Sequence, residues 1–272
     1  LSKLILQGPG DQLQLTKNTQ PAILTVSYSI FRVLIEEFDF DIKSFKYFAG
    51  HSLGEYSALL CANSLDFENA IYLLHERGKA MQEAVPVGKG SMLAVLGAKI
   101  QDIENIIESL KLDKGVCEIA NDNADGQVII SGDRESVNNF QKILKEKKLK
   151  SIPLKVSAPF HCSLMKSAAD KMSKKIINTS FIIPEVEIIN NVTAKSEKDP
   201  KKIKELLINQ IFSTVRWRES IINLSDMGIS NFIEIGPGKV LSGMVKRTIK
   251  NIKNFSINSI DDIKNLKNEF KK

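Results

Sequence analysis

Gly50-His51-Ser52-Leu53-Gly54 is the stretch of this chain most able to do chemistry. It is a G-x-S-x-G motif, and such a serine becomes a nucleophile when the motif turns sharply from a strand into a helix. The turn asks for flanking positions without side chains, strains the serine backbone and leaves the hydroxyl exposed. The helix that follows brings its N-terminus and the Leu53 N–H to the same place. Both favour negative charge, so the turn supplies half of an oxyanion hole. The alternative is a chance glycine-serine turn with no chemistry.

A serine nucleophile needs a base, and the chain has only three histidines. His51 is next to Ser52, where neighbouring side chains diverge. His75 falls mid-helix beside Ile71 and Leu74, which suggests packing or surface. His161 lies in Ala158-Pro159-Phe160-His161-Cys162, a loop between two expected elements, and loops of that kind carry cleft residues. His161 is therefore the candidate base, against a structural role for a lone histidine. No Asp or Glu is obviously placed to orient it, which leaves a backbone carbonyl.

The elements expected to position these residues alternate between helix and strand, the pattern of an α/β fold. Pro21 is expected at the first position of a buried helix carrying Ile23, Leu24, Ser27, Ile30, Phe31 and Leu34. Phe45–Ala49 reads as the strand before the turn, and Glu55 opens the helix after it. A third helix starts at an Asp66 cap and runs to about Val85. Pro86 and the glycines at 88 and 90 break the pattern. A βαββαβ order follows: strands at Met92–Leu96, Glu118–Ala120, Gln127–Ser131 and Ser151–Val156, and helices at Ile100–Leu110 and Ser136–Lys147. That order is ferredoxin-like. Residues 87–156 are read as a small inserted subdomain, and 1–86 with 157–272 as the large one. Later elements are helices at Met165–Ile177, Ile203–Gln210 and Trp217–Met227, strands at Val186–Asn190 and Phe232–Ile235, and a helix from Val240. The tail is expected to be helical or frayed.

Composition narrows the function classes. The 272 residues are 43% hydrophobic and 26% charged, a globular composition. No apolar run reaches membrane-spanning length, and the opening residues show neither the charged-then-apolar layout of a signal peptide nor the arginine-rich pattern of a transit peptide. Cys61, Cys117 and Cys162 form neither a disulfide framework nor a zinc pattern. The net charge of +6 permits an acidic partner, but no basic stripe interleaved with aromatics suggests nucleic acid. The lysine runs of the second half read as solvated helix faces.

The stretches TQPAILTVSYSIF, AGHSLGEYSALLCA, LLHERGKAMQEAVP, DNADGQVIISGD, VSAPFHCSLM, NNVTAK and IEIGPGKVLSGMVKR together resemble the malonyl-CoA:acyl-carrier-protein transacylases of fatty-acid synthesis. The resemblance implies an α/β-hydrolase-like core with a parallel sheet, plus the ferredoxin-like insert. It implies Ser52 as the residue acylated by malonyl-CoA, His161 as its base, and the carbonyl at about Gln210 as the group holding the other ring nitrogen. Arg77, by itself a charge on a solvated helix, becomes the group that binds the malonyl carboxylate. A planar guanidinium grips a carboxylate through two parallel hydrogen bonds. Left unpaired by a neutral acyl group, it disfavours that group. Gln20, Asn121, Asn123 and Phe160 match cleft positions, Phe160 resembling members that favour malonyl over branched units. The resemblance further implies no bound cofactor or metal, acyl carrier protein and a coenzyme A thioester as partners, a monomer, and a cytoplasmic or alternatively organellar-stroma location. Gly236-Pro237-Gly238 lacks the spacing of a nucleotide loop and is expected to be a structural turn.

One departure accompanies the resemblance. Family members begin with a strand and a Gly-Gln-Gly-Ser-Gln turn whose first glutamine gives the second oxyanion contact, and this motif does not appear here. A further N-terminal segment ahead of Leu1 is therefore expected, and the chain from Leu1 onward is expected to turn over poorly. Two other functions compete with transfer: hydrolysis at the same serine, and a non-catalytic module that binds the carrier.

Overall fold

The computed structural model describes residues 1–156 and 158–270. Ser157, where the large subdomain is expected to resume, and the last residues, 271–272, lie outside the described residues. The chain opens with short helices α1 (Ser2–Gln7) and α2 (Gly10–Leu13), then the long helix α3 (Thr16–Glu36). Strand β1 (Tyr47–Ala49) leads into α4 (Gly54–Cys61), and α5 (Phe67–Glu83) follows, with the Asp66 carboxylate accepting from the Asn69 N–H.

Helix α3 starts at Thr16, so Pro21 lies inside it and not at its first position. A proline in a helix interior removes a donor and orphans the carbonyl one turn back. Here that carbonyl belongs to Lys17, and His75 Nδ1–H of α5 donates to it at 3.1 Å. The two helices cross closely at this point. A Cβ on Gly78 would lie 2.6 Å from both Lys17 Cα and Thr16 O. The proline is tolerated because a distant side chain satisfies the freed acceptor, and local sequence carries no sign of that.

The next block contains β2 (Gly90–Leu96), α6 (Ile100–Ser109), β3 (Cys117–Ala124), β4 (Gln127–Asp133), α7 (Arg134–Glu146) and β5 (Lys150–Pro153). The four strands form one antiparallel sheet in the order β3-β4-β2-β5. Ile103, Ile106, Val137, Phe140 and Leu144 of the helices close its core against Leu93, Val95, Val128 and Ile130. Strand β3 runs well past the expected Ala120, through Asn121, Asp122 and Asn123, with register shifts against β4. Asn and Asp are poor strand formers. They are held extended because the strand also pairs outward: Asp122 N–H donates to Val215 O (3.0 Å) and Val215 N–H to Ala120 O (2.8 Å).

The remaining elements are α8 (Lys166–Asn178), β6 (Glu187–Ile189), β7 (Ser196–Glu197), α9 (Pro200–Gln210), α10 (Trp217–Asp226), β8 (Asn231–Ile235), α11 (Val240–Thr248), β9 (Lys253–Ile257) and α12 (Ile260–Phe270). The parallel pairing lies in two separate ladders. β1 runs parallel to β6, whose other edge carries the antiparallel β7, and β8 runs parallel to β9. The tail is helical over α12, as expected, but not before it. Lys253–Ile257 is a strand, and Ile257, Ile263 and Leu266 are buried with Leu34 of α3. Its lysines and asparagines mask the few apolar residues that dock it. Among the described residues, no helix is long and apolar enough to cross a membrane.

Candidate active site

The turn between β1 and α4 owes its shape to Gly50. A Cβ there would lie 1.9 Å from the carbonyl carbon and oxygen of Gly54, so any side chain would force the turn open. Gly54 differs from expectation, because a Cβ at that position would meet nothing within 4 Å. Only the first flanking position is sterically closed. Ser52 has φ 55°, in the left-handed region that costs a non-glycine residue free energy.

Four contacts hold this strained backbone. Ser52 N–H donates to Asn191 Oδ1 at 2.7 Å, and Asn191 Nδ2–H to Gly50 O at 2.8 Å. Ser52 O accepts from Gln210 Nε2–H at 3.0 Å and from the Glu55 N–H at 3.1 Å. Asn191 is in turn fixed by its own N–H, which donates to Glu55 Oε2 at 3.0 Å. Among the described residues the Leu53 N–H, which follows Ser52 directly in the chain, has no hydrogen bond.

His161 meets Ser52 from the loop before α8. Its Nδ1–H donates to the backbone carbonyl of Gln210 at 2.9 Å. A carbonyl can only accept, so this bond fixes the tautomer and leaves Nε2 without a proton. Nε2 lies 2.7 Å from Ser52 Oγ and accepts its proton. Burial, with the Arg77 charge as a second cause, lowers the imidazole pKa to about 3. The imidazole is neutral at physiological pH.

Arg77 of α5 is 1% exposed, not a solvated charge. Nη1–H donates to Gln20 Oε1 at 2.6 Å. Nη2–H donates to Gln210 Oε1 at 2.8 Å and to Ser52 Oγ at 3.1 Å. Its Nε–H is buried without an acceptor, a costly arrangement for a charged group. Burial lowers the Arg77 pKa, and the nearby tyrosine and carboxylate oppose that shift.

Ser52, His161, Arg77, Gln20 and Gln210 thus converge. The other candidates lie one layer out. Asn123 Oδ1 is 2.8 Å from His51 Nε2, so it meets the turn through His51, whose ring rests 5.7 Å from that of Trp217. Asn121 is buried where β3 pairs with Val215. Phe160 packs between the large core and a smaller cluster containing Met92, Ala94, Ala120 and Ile129. Gly236-Pro237-Gly238 is closed to phosphate. Glu234 accepts from the first free N–H groups of α11, Leu241 (3.0 Å) and Ser242 (2.7 Å), and Asn258 Oδ1 accepts from the Gly238 N–H.

Two residues of the site carried no assignment from sequence, Asn191 and Glu55. Glu55 is 2% exposed, and burial pushes its carboxyl up to about 7 against the opposing pull of the Asn191 N–H, the Gln210 amide and Arg77. The available signal was an acid among apolar residues in Gly54-Glu55-Tyr56-Ser57-Ala58-Leu59-Leu60.

Comparison with known proteins finds relatives over nearly the whole chain. The chain is 40% identical over 264 residues to the malonyl CoA-acyl carrier protein transacylase of Bacillus subtilis, covering 97% of this chain and 82% of that protein. It superposes on the acyl-carrier-protein-S-malonyltransferase of Bartonella henselae with a TM-score of 0.95 at 40% identity, covering 100% of this chain and 86% of that one. A malonyl-transacylase solved in complex with a type II PKS acyl-carrier protein matches at 37% identity and a TM-score of 0.94, over 98% of this chain and 86% of that one. Residues 1–269 match the acyl transferase domain family, and the chain belongs to that family.

Proposed function

We propose that the protein moves a malonyl group from coenzyme A to the phosphopantetheine thiol of acyl carrier protein, through an ester on Ser52. The observation that carries the reading is the convergence on one hydroxyl of an unprotonated imidazole nitrogen at 2.7 Å and a buried guanidinium at 3.1 Å. The relatives are named for this transfer, and one is solved with its carrier.

In the first half-reaction, Ser52 Oγ gives its proton to His161 Nε2 and attacks the thioester carbonyl. The Leu53 N–H donates to the developing oxyanion. The C–S bond breaks, and the proton on Nε2 leaves with the coenzyme A thiolate. In the second half-reaction the pantetheine thiol gives its proton to Nε2 and attacks the ester carbonyl. The C–Oγ bond breaks and Oγ recovers the proton. Through both halves the malonyl carboxylate lies on Arg77, where it supplies the acceptor that the Nε–H lacks. A neutral acyl group leaves that cost in place, which gives selectivity. The chemistry calls on no bound cofactor.

The reading places Asn121, Asn123 and Phe160 along the path of the acyl-pantetheine arm. It divides the chain into a catalytic unit, 1–86 with 157–272, and a small unit, 87–156. It goes with a monomeric, cytoplasmic enzyme. The test is mass spectrometry after mixing with malonyl-CoA. A malonyl adduct that is absent in Ser52→Ala and discharges faster to a pantetheine thiol than to water supports transfer. Equal discharge to both makes the protein a hydrolase, and no adduct removes the catalytic reading.

A further inference from the structure

A cation as deeply buried as Arg77 needs a counter-charge when no substrate is present, because the desolvation cost of an isolated ion is large. Its direct partners are neutral: two glutamine amides and a hydroxyl. The carboxylate behind them is Glu55, 2% exposed on α4. Glu55 Oε2 accepts from Gln210 Nε2–H at 2.8 Å, and Gln210 Oε1 accepts from Arg77 Nη2–H at 2.8 Å. One amide therefore joins anion to cation, each end donating or accepting in the sense its charge prefers.

We propose that Glu55 is the resident counter-ion of Arg77, ionised while the acyl pocket is empty and protonated when a malonyl carboxylate occupies the guanidinium. This deepens the transfer reading and rests on it. Two anions sharing one buried cation repel, and taking up a proton at Glu55 relieves the repulsion. Glu55 touches no reacting atom. It is a positioning residue that sets how strongly the pocket prefers an anionic acyl group.

Among the described residues around Arg77, Glu55 is the one that can change charge near neutrality. Tyr56, beside it on α4, is pushed up to about 12 by burial. His161, in the loop before α8, is held neutral down to about 3, and burial likewise lowers His51 in the turn. Arg77 on α5 keeps its charge, while Asn191 and Gln210 carry none. Glu55 itself is held at about 7.

Calorimetry with Ser52→Ala tests the idea without turnover. Malonyl-CoA and acetyl-CoA are titrated at pH 7.5 in two buffers of different ionisation enthalpy, so that the coenzyme A part cancels. Malonyl-CoA is expected to take up about a third of a proton or more beyond acetyl-CoA. Equal proton counts would overturn the proposal. In a second arm, Glu55→Gln keeps the acceptor for Gln210 and removes the charge. Its malonyl-CoA affinity is expected to rise about fivefold at pH 8.5 and to become flat between pH 6 and 8.5. Weaker binding at every pH with the wild-type slope would mean a structural role only. Should the glutamine variant not fold, the proton count decides alone. A wild-type chain that never acquires a malonyl adduct would remove the transfer reading and this inference together. A normal adduct with equal proton counts removes the inference alone.

Discussion

Ser52 and His161 both adopt left-handed backbone, with φ of 55° and 58°, and face each other across 2.7 Å. Each position is strained for a residue with a side chain. The strain is sustained by the same stretch, since the Gln210 side chain binds Ser52 O and the Gln210 carbonyl binds His161 Nδ1.

The first prediction concerns the protonation of His161. Its folded pKa of about 3 lies below the ordinary 6.5. The unfolded chain therefore binds the extra proton first, and the stability this neutral imidazole contributes above pH 6.5 is lost progressively as pH falls toward 3. NMR of ring-labelled histidine is expected to show His161 as the Nδ1–H tautomer, without titration, down to pH 5. A titration midpoint near 6.5 would contradict the fixed tautomer.

Arg77 should not be replaceable by lysine. Arg77→Ala and Arg77→Lys are both expected to lose malonyl transfer by about 10²–10⁴-fold, because removing one partner of a buried charged pair costs about 3–5 kcal/mol and lysine lacks the planar fork. Steady-state rates with malonyl-CoA and acetyl-CoA check this. The malonyl preference should collapse in Arg77→Ala, while Ser52→Ala abolishes the adduct outright.

Asn191 offers a test of the backbone cage. Asn191→Ala leaves the Ser52 N–H and the Gly50 carbonyl without their side-chain partners. A loss of about 2–3 kcal/mol in urea unfolding is expected, with kcat falling and the malonyl-CoA KM within about twofold of wild type. A raised KM with unchanged kcat would place Asn191 in substrate binding instead.

The two glycines of the turn should behave oppositely. Gly50→Ala drives a methyl group into the Gly54 carbonyl, 1.9 Å away, and is expected not to give folded, active protein. Gly54→Ala meets open space at the first position of α4. It is expected to raise stability by about 0.5–1 kcal/mol through helix propensity. Thermal melting of the two proteins separates them.

These contrasts mark what could be read from residues alone. Ser52 was legible because its turn chemistry is local, and His161 because few histidines compete with it. Arg77 became legible only through resemblance, since a helical arginine looks solvated until its surroundings are known. Asn191 and Glu55 escaped because their use depends on contacts reaching more than a hundred residues along the chain. The start of the Pro21 helix and the end of strand β3 depart from expectation for one reason. Each violates local propensity, and each is repaired by a distant partner, His75 for the proline and Val215 for the strand.

The pairing of β3 with Val215 carries a mechanical consequence. Val215 lies a few residues beyond Gln210, on the stretch that starts at the carbonyl accepting from His161 Nδ1. A displacement of the four-stranded sheet would act on that stretch, and through it on the carbonyl that holds His161 Nδ1. The position of the four-stranded sheet and the orientation of the imidazole are therefore linked through one short connection.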